Sequence, residues 1–267
     1  MCGIAGYATT AIDPQTLEQV VAEMTIRLAH RGPDGSGIYR HKAAVLGHRR
    51  LSIIDIEGGS QPMLDNRGYA ITYNGEIYNY VEVRRDLESL GETFVTSSDT
   101  EVLLKAYIRW GSDCLQHLNG MFAVAVLELS SGKLFLARDR IGIKPLYFAR
   151  IGPGLAFASE IKSLLCLPQL DRTQSLEHVP YFLSFGYFPE GATGYAAIKQ
   201  LRPGHWLEFC DGREATGCYW DIDEITRCRG IIRANAGTDQ ELQALIEDAV
   251  TMQTVADVSV GTFLSGG

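Results

Sequence analysis

Apolar residues first recur at helical spacing in PQTLEQVVAEMTIRLAH, residues 14–30, where Leu17, Val20, Val21, Met24 and Leu28 share one face. The preceding GIAGYA reads as a short strand, and RGPDGSG breaks the helix with two turn signals. Strand-like runs follow at AAVLGHRRLSII, YAITYN, AVAVLEL, KLFLARD and LAFASE. Between them, VEVRRDLESLG predicts a helix ending at Gly91. In SDTEVLLKAYIRWG, Ser98 followed by Glu101 three residues later predicts a helix opened by a capping box. Strands in bunches with helices between them predict an α+β fold, with sheets packed between helical layers on an αββα plan. Residues 211–236 are polar and mixed, and read as a linker after a first domain of residues 1–210. Beyond them, TDQELQALIEDAVTMQ is an amphipathic helix and DVSVGTFLSGG a strand running into a glycine turn.

Composition narrows the function classes. A chain of 267 residues with 46% hydrophobic and 21% charged residues suits a globular protein with a substantial core. The net charge of −8 argues against nucleic acid as a partner, because phosphate neutralisation needs clustered Lys and Arg. A small polar substrate is the better default. No apolar run reaches the roughly 18 residues of a membrane span, and no basic segment leads into a hydrophobic one at the N-terminus. The expectation is a cytoplasmic protein with no membrane partner. Cysteines at 2, 114, 166, 210, 218 and 228 form no CxxC pair, so the five internal ones read as ordinary thiols.

The chemistry begins with MCG. If the initiator methionine is trimmed, Cys2 carries a thiol nucleophile and a free α-amino base on one residue. YNGEIYNY places Asn74 and Gly75 just after a strand. Asn-Gly is a turn signal, yet an Asn amide and a Gly N–H together are also the donors of an oxyanion hole. Adjacent Arg49 and Arg50 face opposite sides of a strand, so at most one reaches a given pocket. Asp99 stands at a helix start, where stabilising the helix N-terminus is a sufficient explanation on its own. Taken together, an Arg for an α-carboxylate, an acid for an α-ammonium, a thiol and an oxyanion hole describe a pocket for an amino acid with a carbonyl side chain. Glutamine fits.

MCGIAGY, HRGPDGSG, HRRLSIID, YNGEIYN, SSDTE, LNGMFAVAV, ARDRIGIKPLY and ASEIKSLL, in this order, resemble the class II glutamine amidotransferase domain of the glutamine-dependent asparagine synthetases. The resemblance implies an N-terminal nucleophile hydrolase sandwich of two antiparallel sheets between helices. It implies Cys2 as the nucleophile forming a thioester, and Asn74 and Gly75 as oxyanion donors. It also implies Arg50, chosen over Arg49, as the carboxylate partner, with Glu76 and Asp99 on the acidic side of the glutamine pocket. No cofactor or metal is implied for this half, and a homodimer stays open.

The terminal LSGG is similar to the start of the family's pyrophosphate-binding loop, with Ser265, Gly266 and Gly267 as its first residues. The resemblance thus implies that residues 237–267 open an α/β ATP-pyrophosphatase-type synthetase domain using ATP and magnesium to amidate aspartate. Ser259 stands where the family often has proline. Two rivals remain at this level: an amidotransferase for another carboxylate, such as a cell-surface sugar or natural-product precursor, and a catalytically silent scaffold module.

Overall fold

The computed structural model describes residues 1–189, 191–223, 226 and 238–261. Among these, twelve strands form two six-stranded sheets, every pairing antiparallel. They are β1 (Gly3–Ala8), β2 (Gly35–His41), β3 (Ala44–Arg50), β4 (Met63–Asp65), β5 (Tyr69–Ile77), β6 (Gly120–Glu128), β7 (Leu134–Arg138), β8 (Tyr147–Ile151), β9 (Gly154–Ala158), β10 (Ile198–Gln200), β11 (His205–Cys210) and β12 (Arg213–Cys218). The first sheet runs β10-β8-β9-β1-β3-β2 and the second β12-β11-β7-β6-β5-β4. The principal helices are α1 (Pro14–Ile26), α2 (Tyr80–Ser89) and α3 (Asp99–Trp110).

Three apolar clusters show the layering. Ile4, Ala8, Ala44, Leu46, Ala70, Ala123, Ala125, Leu127 and Leu134 pack between the sheets. Ala5, Tyr7 and Val45 pack against Leu17, Val21 and Met24 of α1. Ile71, Tyr73, Ile77, Val124 and Val126 pack against Val83 and Leu87 of α2 and Val102 and Leu103 of α3. The order is helix, sheet, sheet, helix, as the sequence pattern predicts. Because both faces of each sheet are covered, central strands such as AVAVLEL lack polar alternation, as fully buried strands do. The inter-sheet layer is rich in alanine, and Gly6 is required there because a Cβ would meet the Phe157 ring and the Val45 carbonyl.

Local signals set the helix starts. Asp13 caps α1, its carboxylate accepting from the backbone of Gln15 and Thr16 at 3.1 and 3.0 Å. The helix ends at Ile26, and the chain continues to Arg31 through turns closed by Leu28, Ala29 and Arg31 N–H groups. Ser98 caps α3 by accepting from Thr100 N at 3.1 Å. The expected capping box does not form: Glu101 instead takes the N–H groups of Val95 and Thr96 and the Thr96 hydroxyl. That places the carboxylate in the preceding loop, which it pins to the helix.

The second sheet continues past residue 210. Residues 213–218, read from the sequence as linker, form β12, which pairs with β11 from His205↔Cys218 to Cys210↔Arg213. It is an edge strand with five of its six residues exposed, so its pattern carries no apolar signal. The C-terminal helix runs Thr238–Met252. No strand forms over residues 257–261. Most of the remaining linker and the LSGG residues Ser265, Gly266 and Gly267 lie outside the described residues. Among the described residues no helix is long and apolar enough to cross a membrane.

Candidate active site

The site is where the inter-sheet layer changes character. Even-numbered positions of β1, β3 and β5 face inward: Ile4, Leu46 and Ala70 pack there, while their odd neighbours Ala5, Val45 and Ile71 face the helices. Continued to the strand ends, the alternation turns His48, Arg50, Thr72, Asn74 and Glu76 inward, and the contact of His48 with Thr72 bridges the two sheets. Arg49 therefore faces out, where its Nε donates to the Gly32 carbonyl at 3.1 Å. Cys2, Arg50, Asn74, Gly75, Glu76 and Asp99 all line one cavity of about 180 Å³, so every glutaminase residue named from the sequence comes together.

The Cys2 thiol lies against one backbone unit. Its Sγ donates to Leu51 O at 3.5 Å and accepts from Leu51 N at 3.3 Å. Burial pushes its pKa up, and the Leu51 amide opposes the rise. Arg31 holds the adjacent backbone, with Nε donating to the Cys2 carbonyl at 2.9 Å and Nη1 paired to Glu160 at 2.9 Å. The α-amine of Met1 stands near the same pocket, and burial lowers its pKa.

Two donors await an acceptor beside the thiol. Asn74 is 1% exposed, and neither its Nδ2 nor its Oδ1 finds a hydrogen-bond partner among the described residues. An unpaired buried polar group costs about 1–3 kcal/mol, so such a pair needs a reason. Along the edge of β5, Tyr73 N donates to Gln61 Oε1 at 2.6 Å and Ile77 N to Asp99 Oδ2 at 3.2 Å. Gly75 N lies between them on the same edge, because Phe122 opposite it bonds to Asp139 of the neighbouring loop instead. It finds no acceptor among the described residues. The glycine itself is demanded by β6, since a Cβ would run into the Met121 carbonyl, Phe122 Cα and the Tyr73 ring.

The far wall is acidic. Asp99 is the first residue of α3 and buried; it accepts from the Tyr73 hydroxyl at 2.9 Å as well as from Ile77 N. Burial raises its pKa to about 6 despite those bonds. Glu76 makes no hydrogen bond or ion pair with the described residues; burial and then Asp99 raise it to about 7, against the pull of Lys144. Two buried carboxylates at one wall of a cavity are a receptor for a cation.

Arg50 is more constrained than expected. Its Nη1 donates to Ile56 O at 2.7 Å and its Nη2 to Ile54 O at 3.3 Å and Asp55 O at 2.5 Å. Of its five N–H donors, Nε–H and one on Nη1 stay free for a carboxylate. The loop it holds is anchored on two further sides: Ser97 N donates to Asp55 Oδ2 at 2.8 Å, and Asp257 joins it through Asp257 N to Ile53 O at 3.0 Å and Asp55 N to Asp257 Oδ2 at 2.7 Å.

Sequence reasoning did not single out Arg31, Gln61, Tyr73 or Lys144. Arg31 and Lys144 lie inside the quoted blocks HRGPDGSG and ARDRIGIKPLY, which was the available signal. The Lys144 ammonium is buried at the cavity wall without a hydrogen bond or ion pair to the described residues, and burial lowers its pKa.

Residues 1–220 match the glutamine amidotransferase domain family and residues 241–267 the asparagine synthase family. Over its whole length the chain is 39% identical to asparagine synthetase (glutamine-hydrolyzing) 3 of Bacillus subtilis, of which it covers 44%, and 32% identical to asparagine synthetase B (glutamine-hydrolyzing) of Escherichia coli, of which it covers 43%. It thus spans less than half the length of these relatives. In fold it is similar to the structure of the allosteric regulatory enzyme of purine biosynthesis, at 21% identity and a TM-score of 0.61 over 82% of this chain and 49% of that one. It is also similar to the glutamine phosphoribosylpyrophosphate amidotransferase of B. subtilis, at 22% identity and a TM-score of 0.57 over the same shares. With the match covering the whole sandwich, the chain belongs to the glutamine amidotransferase domain family.

Proposed function

We propose that this domain hydrolyses glutamine to glutamate and ammonia through a thioester on Cys2. The observation that carries the reading is the Asn74 amide, buried, unpartnered and lining the same cavity as the thiol. With Gly75 N it offers two donors for the negative oxygen that forms when sulfur adds to a carboxamide. The α-carboxylate of glutamine takes the two free Arg50 donors, and its ammonium sits between Glu76 and Asp99.

Removal of Met1 turns the Cys2 nitrogen from an amide into an amine able to act as base. That amine accepts the thiol proton as sulfur attacks the carbonyl carbon of the side-chain carboxamide. When the tetrahedral adduct collapses, the C–N bond breaks and the amine returns the proton to the departing ammonia. A water, deprotonated by the same amine, then adds to the thioester; the C–S bond breaks, the amine returns the proton to the sulfur, and glutamate leaves.

For the whole protein the reading is ATP-dependent amidation of aspartate to asparagine with that ammonia. Its support is the asparagine synthase match beyond residue 240 and the relatives of more than twice this length. Residues 1–220 form the glutaminase unit in this reading, and residues from about 237 the start of the synthetase unit, with ATP and magnesium bound on that side.

Intact-mass measurement together with a glutaminase assay tests the domain. The expected result is a mass lacking Met1 and glutamate release that disappears in Cys2→Ala. Retained Met1 with full activity removes the amine from its role, and activity in Cys2→Ala ends the thioester reading. For the whole protein, AMP and asparagine formed from ATP, aspartate and glutamine by a chain of the relatives' length is the expected result; amidation of a different acid instead overturns the aspartate assignment.

A further inference from the structure

His48 lies on the inward face of β3, two positions before Arg50, and is fully buried. One ring nitrogen, Nε2, makes no hydrogen bond with the described residues. The other, Nδ1, lies 3.1 Å from Thr72 Oγ1. The Thr72 hydroxyl has a single proton, which goes to the Gly47 carbonyl at 3.3 Å. The hydroxyl therefore accepts from Nδ1–H, and Nε2 is left with a lone pair. Burial, reinforced by Arg50, lowers the ring's pKa to about 3, so it stays neutral at working pH.

Asn74 poses the complementary problem. The two ends of a carboxamide are nearly equal in size, so packing alone does not choose which faces the thiol. Only the sense with Nδ2 toward Cys2 serves an oxyanion, and in that sense Oδ1 turns inward. Thr72, the partner of His48, is two residues away on the same face of β5, roughly 7 Å along the strand. Two acceptors without a partner among the described residues, the lone pair of His48 Nε2 and Oδ1 of Asn74, thus sit on inward faces that the His48–Thr72 contact joins. They do not bond to each other directly. One water, with two protons to donate, satisfies both.

We propose that His48 is a positioning residue which, through one buried water donating to its Nε2 and to Asn74 Oδ1, holds the Asn74 amide with its N–H groups toward Cys2. The kinetic consequence rests on the glutaminase reading; the arrangement itself concerns only two side chains and a water. It assigns the orphaned imidazole nitrogen and the inward end of the orphaned amide to one occupant, and leaves the outward end for substrate.

Three variants and one spectrum test it. His48→Leu removes the acceptor, and is expected to lower kcat about tenfold to a hundredfold, below the roughly 10²–10³ for loss of the donor itself, with KM within about twofold. His48→Gln restores an acceptor near the Nε2 position and is expected to recover most of kcat. Asn74→Ala combined with His48→Leu is expected to be no slower than Asn74→Ala alone. In the wild type, nitrogen-15 spectra of the imidazole should show Nδ1 protonated and Nε2 bare, and a high-resolution crystal structure should show solvent between Nε2 and Oδ1. A folded His48→Leu protein with wild-type kcat overturns the proposal, as does an Nε2-protonated ring or dry contact between the two side chains. If His48→Leu does not fold, His48→Gln and the spectrum decide. If the wild type releases no glutamate, the glutaminase reading fails, while the tautomer and the solvent still decide the arrangement.

Discussion

The two ends of the inter-sheet layer are built from the same strands and differ in almost everything else. At one end Ala8, Ala44, Leu127, Leu134 and Phe209 close the sandwich with apolar contacts. At the other, the same inward faces of β3 and β5 present His48, Arg50, Thr72, Asn74 and Glu76, with three side-chain atoms of His48 and Asn74 left unpaired. One end is optimised for burial, the other carries unsatisfied donors and acceptors in a space that an apolar core would fill more stably. The lesson is that the framework is stabilised from the apolar end, which allows the polar end to be poor as a core and good as a receptor.

Substitutions at the two ends should therefore separate cleanly. The largest effect is expected from Cys2→Ala, which reduces glutaminase turnover to background while leaving the melting temperature near the wild-type value. Asn74→Ala should lower kcat by about 10²–10³ with little change in KM, and should change thermal stability little, because neither end of the amide bonds to another described residue. At the apolar end, Leu134→Ala should cost about 2–5 kcal/mol of unfolding free energy in denaturant titration, with KM for glutamine unaltered below the transition. An Asn74→Ala protein that melts well below wild type, or a Leu134→Ala protein with altered KM, would break the comparison.

Arg50→Ala should raise KM about tenfold to a hundredfold, the worth of charge-assisted hydrogen bonds at about 1.5–3 kcal/mol. Limited proteolysis near residues 54–56 should increase as well, since those carbonyls lose their donor. The pH dependence is gentler. Glu76 and Asp99 are raised to about 7 and about 6 from 4.5 and 3.8. Folded protein thus holds protons that the unfolded chain releases, and these two groups make stability fall as pH climbs from about 4 to about 7. An ammonium between them favours the ionised forms, so KM should drop as pH rises through 6 to 7, and Glu76→Gln should remove the upper step. An identical KM–pH profile in Glu76→Gln takes that carboxylate out of the pocket.

Much of this was legible in the sequence because the informative residues are also the ones with unusual local jobs. Cys2 and Asp99 stand beside a methionine and at a helix start, where residue type is read directly; Asn74 and Gly75, expected just after a strand, lie inside β5 instead. The choice of Arg50 over Arg49 came from the resemblance alone: alternation says only that they diverge, and the inward parity of β3 is fixed by pairing with β1, with Gly3 opposite Arg49 and Ile4 opposite His48. Arg31 and Lys144 were hidden because their roles depend on long-range contacts, to the Cys2 carbonyl and to the cavity wall. β12 was hidden for the opposite reason, as an exposed edge whose pairing leaves no hydrophobic trace.

The position of β1 has a consequence in time. It lies between β3 and β9, and Ile4 N donates to Ser159 Oγ, a partner 155 positions later. At translation rates of about 5–20 residues per second, that partner emerges roughly 8–30 s after the strand it completes. Through that interval β1 has one edge with no mate, and the cavity around Cys2 does not yet exist. The strand next to Cys2 is thus paired on one side only until β9 has been made.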